Sequence, residues 1–267
     1  MSMSFPHKSK ILDQFTKMAV AFGTAPQLTD TESLETLLRA TQAVSTDRSL
    51  DVACGAGVVA CHFAQTVEFA EGVDITPAML EQARARQERK QLQNLGWSLA
   101  DVVDLPFATA SFTVVTSRYA FHHMQPPNRV LSEMKRVCAP GGRIAVADIC
   151  IPGDLEDAAF FDRIERINDP SHVHALTQTE WLALFRRAGL PQPQMSQYVL
   201  QFPLAQLLRA ASRSKEEISE IESEIKDMVA RGKLLGIVVA DKGTTQFCYP
   251  ITVFSASSSG PLNPMHS

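Results

Sequence analysis

The 267-residue chain lacks several things, and each shortage removes a class of function. No apolar run reaches the roughly 18 residues a membrane span needs, so none is expected. No stripe of Lys or Arg forms and the net charge is −4, so neither nucleic acid nor an anionic membrane surface is an expected partner. Met1 to Lys10 lacks an apolar core and a small-residue cleavage site, so no signal peptide is read there. The five cysteines (Cys54, Cys61, Cys138, Cys150, Cys248) are scattered, odd in number and form no C-x-x-C. Reduced thiols in a cytoplasm suit them better than disulfides or a zinc knuckle. No internal repeat is present. The composition, 45% hydrophobic and 20% charged, is that of a soluble globular protein, sized for one large domain or a core with a lid.

The stretch Ser49 to Gly57 (SLDVACGAG) organises the rest. A short apolar run stops at two glycines, and a small-residue apolar segment starts at Val58: a strand, a tight turn and a helix start. Gly55 and Gly57 allow φ > 0 and a close approach to main-chain atoms, while the helix turns its N-terminal amides towards the same place. Gly55-x-Gly57-x-x-Ala60 also satisfies the dinucleotide fingerprint, with Asp74 at the distance of a ribose-binding carboxylate. Two ligand classes therefore compete. Asp51, at the mouth of the turn, would repel a pyrophosphate by about 4 kcal/mol per unit charge at 4 Å and an effective dielectric of 20. The same carboxylate would attract an ammonium and a sulfonium, which favours S-adenosylmethionine.

From Ser49 to Ile149 strands alternate with helices. Val67 to Asp74, Gly96 to Asp101, Ser111 to Ser117 and Arg143 to Ile149 read as further strands. Thr76 caps a helix with Pro77 at its first position. Val130, Leu131, Met134 and Val137 mark another helix, closed by Pro140-Gly141-Gly142. Strands with helical crossovers at this spacing predict a parallel, doubly wound sheet, with ligands beyond the carboxyl ends of the strands. Those ends carry Asp51, Asp74, Asp101, Ser117-Arg118 and Asp148, a set that prefers cationic or polyhydroxyl ligands. Before them, Ile11/Leu12, Phe15, Met18/Ala19 and Phe22 fall at helical spacing, and a second helix follows Thr29-Asp30-Thr31. The pair are packing helices, or the first closes over the ligand.

Leu50 to Gly57 resembles the first motif of class I S-adenosylmethionine-dependent methyltransferases. Gly72 to Leu80 resembles their second, and Ala100-Asp101-Val102 with Leu105-Pro106-Phe107 their third. Ser111 to Met124 and Arg136 to Gly142 are similar to the stretches around their fourth and fifth strands. The branch is the one holding quinone-ring and small-molecule methyltransferases, and the likeness runs from about Asp13 to Leu190. It implies an α/β fold with a doubly wound, seven-stranded, mostly parallel Rossmann-like sheet whose last strand is antiparallel. Thr245 to Ala256 would supply that strand, after a sixth near Gln194 to Leu200. The resemblance also implies roles. Asp51 would meet the methionine ammonium, with Gly55 and Gly57 forming the turn beneath. Asp74 would accept from both ribose hydroxyls, Ile75 and Met79 would flank the adenine, and Asp101 and the Val102 amide would meet its edge. Ser117 and Arg118 would border the methionine moiety. Ala53 stands where many members have glycine, a methyl expected to be tolerated.

Expected cofactor and product are S-adenosylmethionine and S-adenosylhomocysteine. The activity implied is methyl transfer to O, C or N of a small organic molecule. Alternatives are a cofactor-retaining enzyme for a rearrangement or cyclisation, and a non-catalytic methyltransferase-like binding partner. His122 and His123, after the fourth strand, are catalytic candidates as base or substrate orienter, or merely hold their loop. Phe15, Tyr119, His123, His172 and His174 are candidates for the substrate side. Phe121, Phe160 and Phe161 are weighed with Tyr119 as an aromatic wall or as core. The i, i+2 spacing of His172 and His174, without a matched Cys or carboxylate cluster, gives no metal site. Expected units are an N-terminal helical cap (1–45), a cofactor-binding core (46–200), a helical insertion or lid (201–243), the final strand (244–256) and a disordered tail (257–267). Thr177 to Glu180 and Ser214 to Glu217 read as capping boxes. Ile218, Ile221, Ile225 and Met228 follow at a/d spacing, which suits packing on the sheet or over the site, or else a dimer seam. A cytoplasmic monomer or homodimer is expected.

Overall fold

The computed structural model describes residues 5–151, 153, 155–205, 214–230, 238–241 and 244–258. Parts of the expected insertion (206–213, 231–237, 242–243) and the tail from 259 lie outside the described residues. Two helices come first, α1 (Phe5–Thr24) and α2 (Thr31–Thr41). Asp30 caps α2 by accepting from Ser33 N at 2.8 Å.

The core then alternates as expected: β1 (Arg48–Val52), α3 (Val58–Phe63), β2 (Phe69–Asp74), α4 (Pro77–Arg89), β3 (Leu95–Leu99) and β4 (Phe112–Arg118). It continues through α5 (Pro127–Val137), β5 (Cys138–Ile149), α6 (Leu155–Asn168), α7 (Gln178–Arg187) and β6 (Gln194–Pro203). The last elements are α8 (Lys215–Ala230), β7 (Val238–Asp241) and β8 (Thr244–Ser257). Seven strands run in the order β3-β2-β1-β4-β5-β8-β6, and β7 pairs with β8 beside this path. β1 to β5 are mutually parallel. β8 is antiparallel to both β5 and β6. The fold is thus the Rossmann-like one expected. Chain order reverses between β1 and β4, so the loops leaving them diverge and open a crevice.

Neighbouring residues of each inner strand point to opposite faces, and they feed two cores. Val114, Ala145 and Ala147 join α2, α3, α6 and α8 on one side. Leu50, Val115, Ile144 and Val146 join α5 and α7 on the other. Trp181 anchors α7 by donating from Nε1 to Ile149 O at 3.0 Å. The Thr177–Glu180 capping box opens that helix, and Ser214 and Glu217 exchange the matching bonds at the other predicted box. Ile221 and Ile225 are buried in the first core, with Ile218 packed against it, so these three positions of the stripe pack within the chain.

Several local expectations need correction. α5 ends at Val137, and Cys138 to Gly142 already belongs to β5, Cys138 pairing with Phe112 before the register shifts. Pro140 brings no amide and Gly141 sits at φ +76°, so this run cannot extend the helix. β2 starts at Phe69 because Val67 N still donates to Phe63 O, closing α3. Thr76 occupies the cap position of α4, but its hydroxyl makes no cap bond; Asp74 takes the Thr76 amide instead, at 2.8 Å. The insertion is not wholly helical, since it holds the end of β6 and all of β7. Ser257, placed in the tail, closes β8, and Ser258 N donates to Gly142 O.

Candidate active site

A cavity of about 140 Å³ opens at the carboxyl ends of β1, β2 and β4, with α1 laid across it. Ile11, Phe15 and Phe22 of α1 supply one wall, Ile75, Met79 and Val102 another, and Tyr119, Ala120, His123 and Met124 a third. Asp51, Asp74 and Asp101 all line it, as do Gly55 and Arg118. The turn between β1 and α3 is held from outside by Arg86, which donates to Ala56 O at 3.0 Å and also to Gly23 O of α1.

The three acids are in different states. Asp51 is 3% exposed. Burial pushes its carboxyl from 3.8 up to about 7, against the opposing pull of Arg118 and Thr116. Thr116 Oγ1 donates to its Oδ1 at 3.3 Å, while Oδ2 is buried with no hydrogen-bond partner among the described residues. Asp74, raised by burial, accepts from Gly55 N and Thr76 N, each at 2.8 Å. Asp101 pairs with Lys8 of α1 and accepts from Val103 N at 3.2 Å. Lys8 was missed from sequence, although it lies one turn before Ile11 on the helix face that meets the cavity.

The two glycines divide their labour. Gly55 sits at φ +49°, and a Cβ there would meet only Met79 Sδ at 3.9 Å; its open side is the cavity. Gly57, at φ +71°, is away from the cavity. A Cβ would collide with Trp97 Cη2 and stand 2.8 Å from Ala83 Cβ, so this glycine serves helix–strand packing. Ala53 adopts φ +57°, a left-handed conformation that costs a residue with Cβ about 1 kcal/mol. Its methyl is tolerated at that cost.

Behind the cavity stands a histidine cluster. His122 is turned away, donating from Nδ1 to Asp148 Oδ1 at 2.6 Å. Burial lowers its pKa but Asp148 outweighs that, and the net direction is up. Asp148 also accepts from the amides of Ala120 and Phe121, fixing the loop after β4. His123 lines the cavity. Burial, with His122 and His172 beside it, holds its imidazole well below the usual range, hence neutral. Ser171 Oγ donates to Asp169 Oδ1 at 2.6 Å, so across its 3.2 Å contact it accepts from His123 Nδ1. The lone pair then lies on His123 Nε2, 4.0 Å from Asp169 Oδ2.

His172 and His174 do not line the cavity. They grip Asp162 of α6, through His172 Nε2 at 2.7 Å and His174 Nδ1 at 2.6 Å. Among the described residues no three His, Cys, Asp or Glu are set to hold a metal ion. Ser117 is fully buried, off the cavity, its hydroxyl without a hydrogen-bond partner among the described residues. Of the four aromatics considered as a wall, only Tyr119 faces the cavity. It sits at φ +55°, under Arg118, with its hydroxyl 2.6 Å from that of Tyr198. Phe121 and Phe161 are core, and Phe160 packs against it. Nothing local in the sequence marked Tyr198, Asp162, Asp169 or Ser171.

A doubly wound sheet with acidic tips on its first three strands and a glycine turn after β1 is the architecture of a class I methyltransferase. Residues 50–146 match the family model described as a methyltransferase domain. The chain belongs to this family. Over 171 residues it is 31% identical to an uncharacterised methyltransferase of Bacillus subtilis, YcgJ, spanning 64% of this chain and 68% of that one. The crystal structure of YcgJ superposes with a TM-score of 0.77 at 25% identity, covering 85% of this chain and 97% of that one. The 27-O-demethylrifamycin SV methyltransferase of Amycolatopsis mediterranei is 31% identical over 170 residues, 62% of each chain. The [4+2]-cyclase SpnF shares the fold, with a TM-score of 0.58, 16% identity, and 85% and 79% of the two chains covered.

Proposed function

We propose that the protein is an S-adenosylmethionine-dependent methyltransferase acting on O, C or N of a small organic molecule. The observation that carries this is the unpartnered, buried Asp51 Oδ2 in a cavity shared with Asp74 and Asp101. A buried acceptor without a donor costs about 1–3 kcal/mol, and an ammonium placed there removes the cost. The acidic walls suit S-adenosylmethionine and oppose a diphosphate.

When bound, this cofactor supplies a methyl group already activated on a sulfonium. Asp51 would hold its ammonium, Asp74 its ribose hydroxyls, and Asp101 with the Val102 amide its adenine edge, between Ile75 and Met79. Gly55 leaves its backbone open to the ligand. Lys8 competes for Asp101, so α1 is the element that has to give way on entry. On the acceptor side Phe15, Tyr119 and His123 form the wall. His123 Nε2 takes the proton where the acceptor is an O–H or an acidic C–H, and Asp169 steadies the imidazolium. His122 positions this loop through Asp148. His172, His174 and Ser117 act from outside the cavity.

Calorimetric titration with S-adenosylhomocysteine and with a nicotinamide dinucleotide tests the assignment. Binding of the first alone is expected, and binding of the dinucleotide alone overturns it. A mass-spectrometric screen for products heavier by one methylene then separates transfer from a rearrangement or a purely binding role.

A further inference from the structure

A second recess opens on the far side of His123, between α1 and the 166–173 segment. Its walls carry His7, Lys10, Gln125, Arg166 and His172, and no carboxylate is among the described residues that line it. It lies one side chain from the cavity. His7 Nε2 is 2.7 Å from His123 O, and the His123 and His172 rings are 6.4 Å apart.

The wall is cationic, with donors to spare. Lys10 is exposed, with no ion pair or hydrogen bond among the described residues. Arg166 donates through Nη2 to Val173 O at 2.6 Å and lies 3.5 Å from Asp162 Oδ2. Both contacts use one nitrogen of a five-donor fork. Two carboxylates stand behind this wall: Asp162, shared with His172 and His174, and Asp169, which accepts from Ser171. His172 is the second sign of a ligand. Its Nε2 is committed to Asp162, and its Nδ1 is buried without a hydrogen-bond partner among the described residues. That nitrogen needs a proton from outside, while Lys10 and Arg166 need an anion.

We infer that this recess binds a phosphoryl group carried by the acceptor. The inference rests on the methyltransferase reading only in assigning the group to the acceptor. A phosphate monoester offers several anionic oxygens to Lys10, Arg166 and His7. Its second ionisation lies near pH 6, so the monoanion still carries a proton that it can donate to His172 Nδ1. A carboxylate brings two oxygens and, at neutral pH, no proton.

The test is titration of the full chain with inorganic phosphate, methyl phosphate and acetate at fixed ionic strength, read by the imidazole NMR signals of His7 and His172. Saturable shifts with both phosphates, and none with acetate at equal concentration, are expected. Lys10→Gln should weaken phosphate binding about tenfold, and Lys10→Gln with Arg166→Gln should abolish saturation. Both variants should bind S-adenosylhomocysteine as the natural chain does, which shows that they fold. Linear shifts, an equal response to acetate, or unchanged affinity in Lys10→Gln would overturn the site. Methyl phosphate failing where inorganic phosphate binds would overturn its assignment to an acceptor. Phosphate saturation without S-adenosylhomocysteine binding would instead sink the cofactor reading and leave the recess standing.

Discussion

Replacing Asp51 with Asn should make the ligand-free protein more stable and the cofactor site worse. The folded carboxyl titrates at about 7 against 3.8 in its ordinary state. Between those values the folded chain keeps a proton that the unfolded chain has released. Stability from this group is therefore present on the acid side and lost as pH rises towards 7; above that the loss is constant. A shift of roughly three units corresponds to an upper bound of about 4 kcal/mol, of which about 2.5 kcal/mol falls between pH 5 and pH 8. The asparagine would carry no charge and keep an oxygen for Thr116, so the charge cost that grows with pH is removed. At 2–4 °C per kcal/mol for a chain of this size, the lead of Asp51→Asn in Tm should grow by about 5–10 °C from pH 5 to pH 8. Comparing variant with natural chain at each pH cancels the other titrating groups. S-adenosylhomocysteine affinity should fall by about 10–100-fold in the same variant, the worth of a charged hydrogen bond. Binding to the natural chain at pH 7 should release protons, seen as a buffer-dependent calorimetric heat. A Tm lead that does not change with pH would refute the burial argument, and undiminished affinity would refute the ammonium assignment.

Asp74→Ala frees the amides of Gly55 and Thr76 and removes the ribose acceptor. Its S-adenosylhomocysteine affinity should drop by about 100-fold, and normal binding in a calorimeter would remove Asp74 from the ribose. Gly57→Ala forces a methyl against Trp97 and Ala83 at positive φ, so urea denaturation should show a loss of about 2–4 kcal/mol. Gly55→Ala, with space available, should lose only about 1 kcal/mol. His123→Asn should lower kcat about 100-fold on an O–H acceptor while sparing cofactor affinity. Because burial and the flanking imidazoles keep His123 neutral below the usual histidine range, kcat in the natural chain should stay level as pH falls through 6. A drop centred on the ordinary histidine value would assign the base elsewhere.

The strand–turn–helix at Leu50 to Phe63 and the acidic tips Asp51, Asp74 and Asp101 were legible in the sequence because each rests on local rules. A short apolar run, a glycine turn and a helix start are decided within about ten residues. Parallel crossovers then bring the strand ends to one side, so those acids meet without further information. The sequence also marked the Gly55/Gly57 pair, but not that Gly57 answers to Trp97, which arrives from β3. Only the tertiary structure put Lys8 on Asp101, His172 and His174 on Asp162, and Ser171 between Asp169 and His123. It alone turned Ser117 away from the cavity and spent Ile221 and Ile225 on the sheet. Periodicity says which face of an element is apolar, whereas the partner it meets depends on chain closure over long separations. Charge and proton position at Asp51 and His123 follow from that burial, so they too were decided by packing.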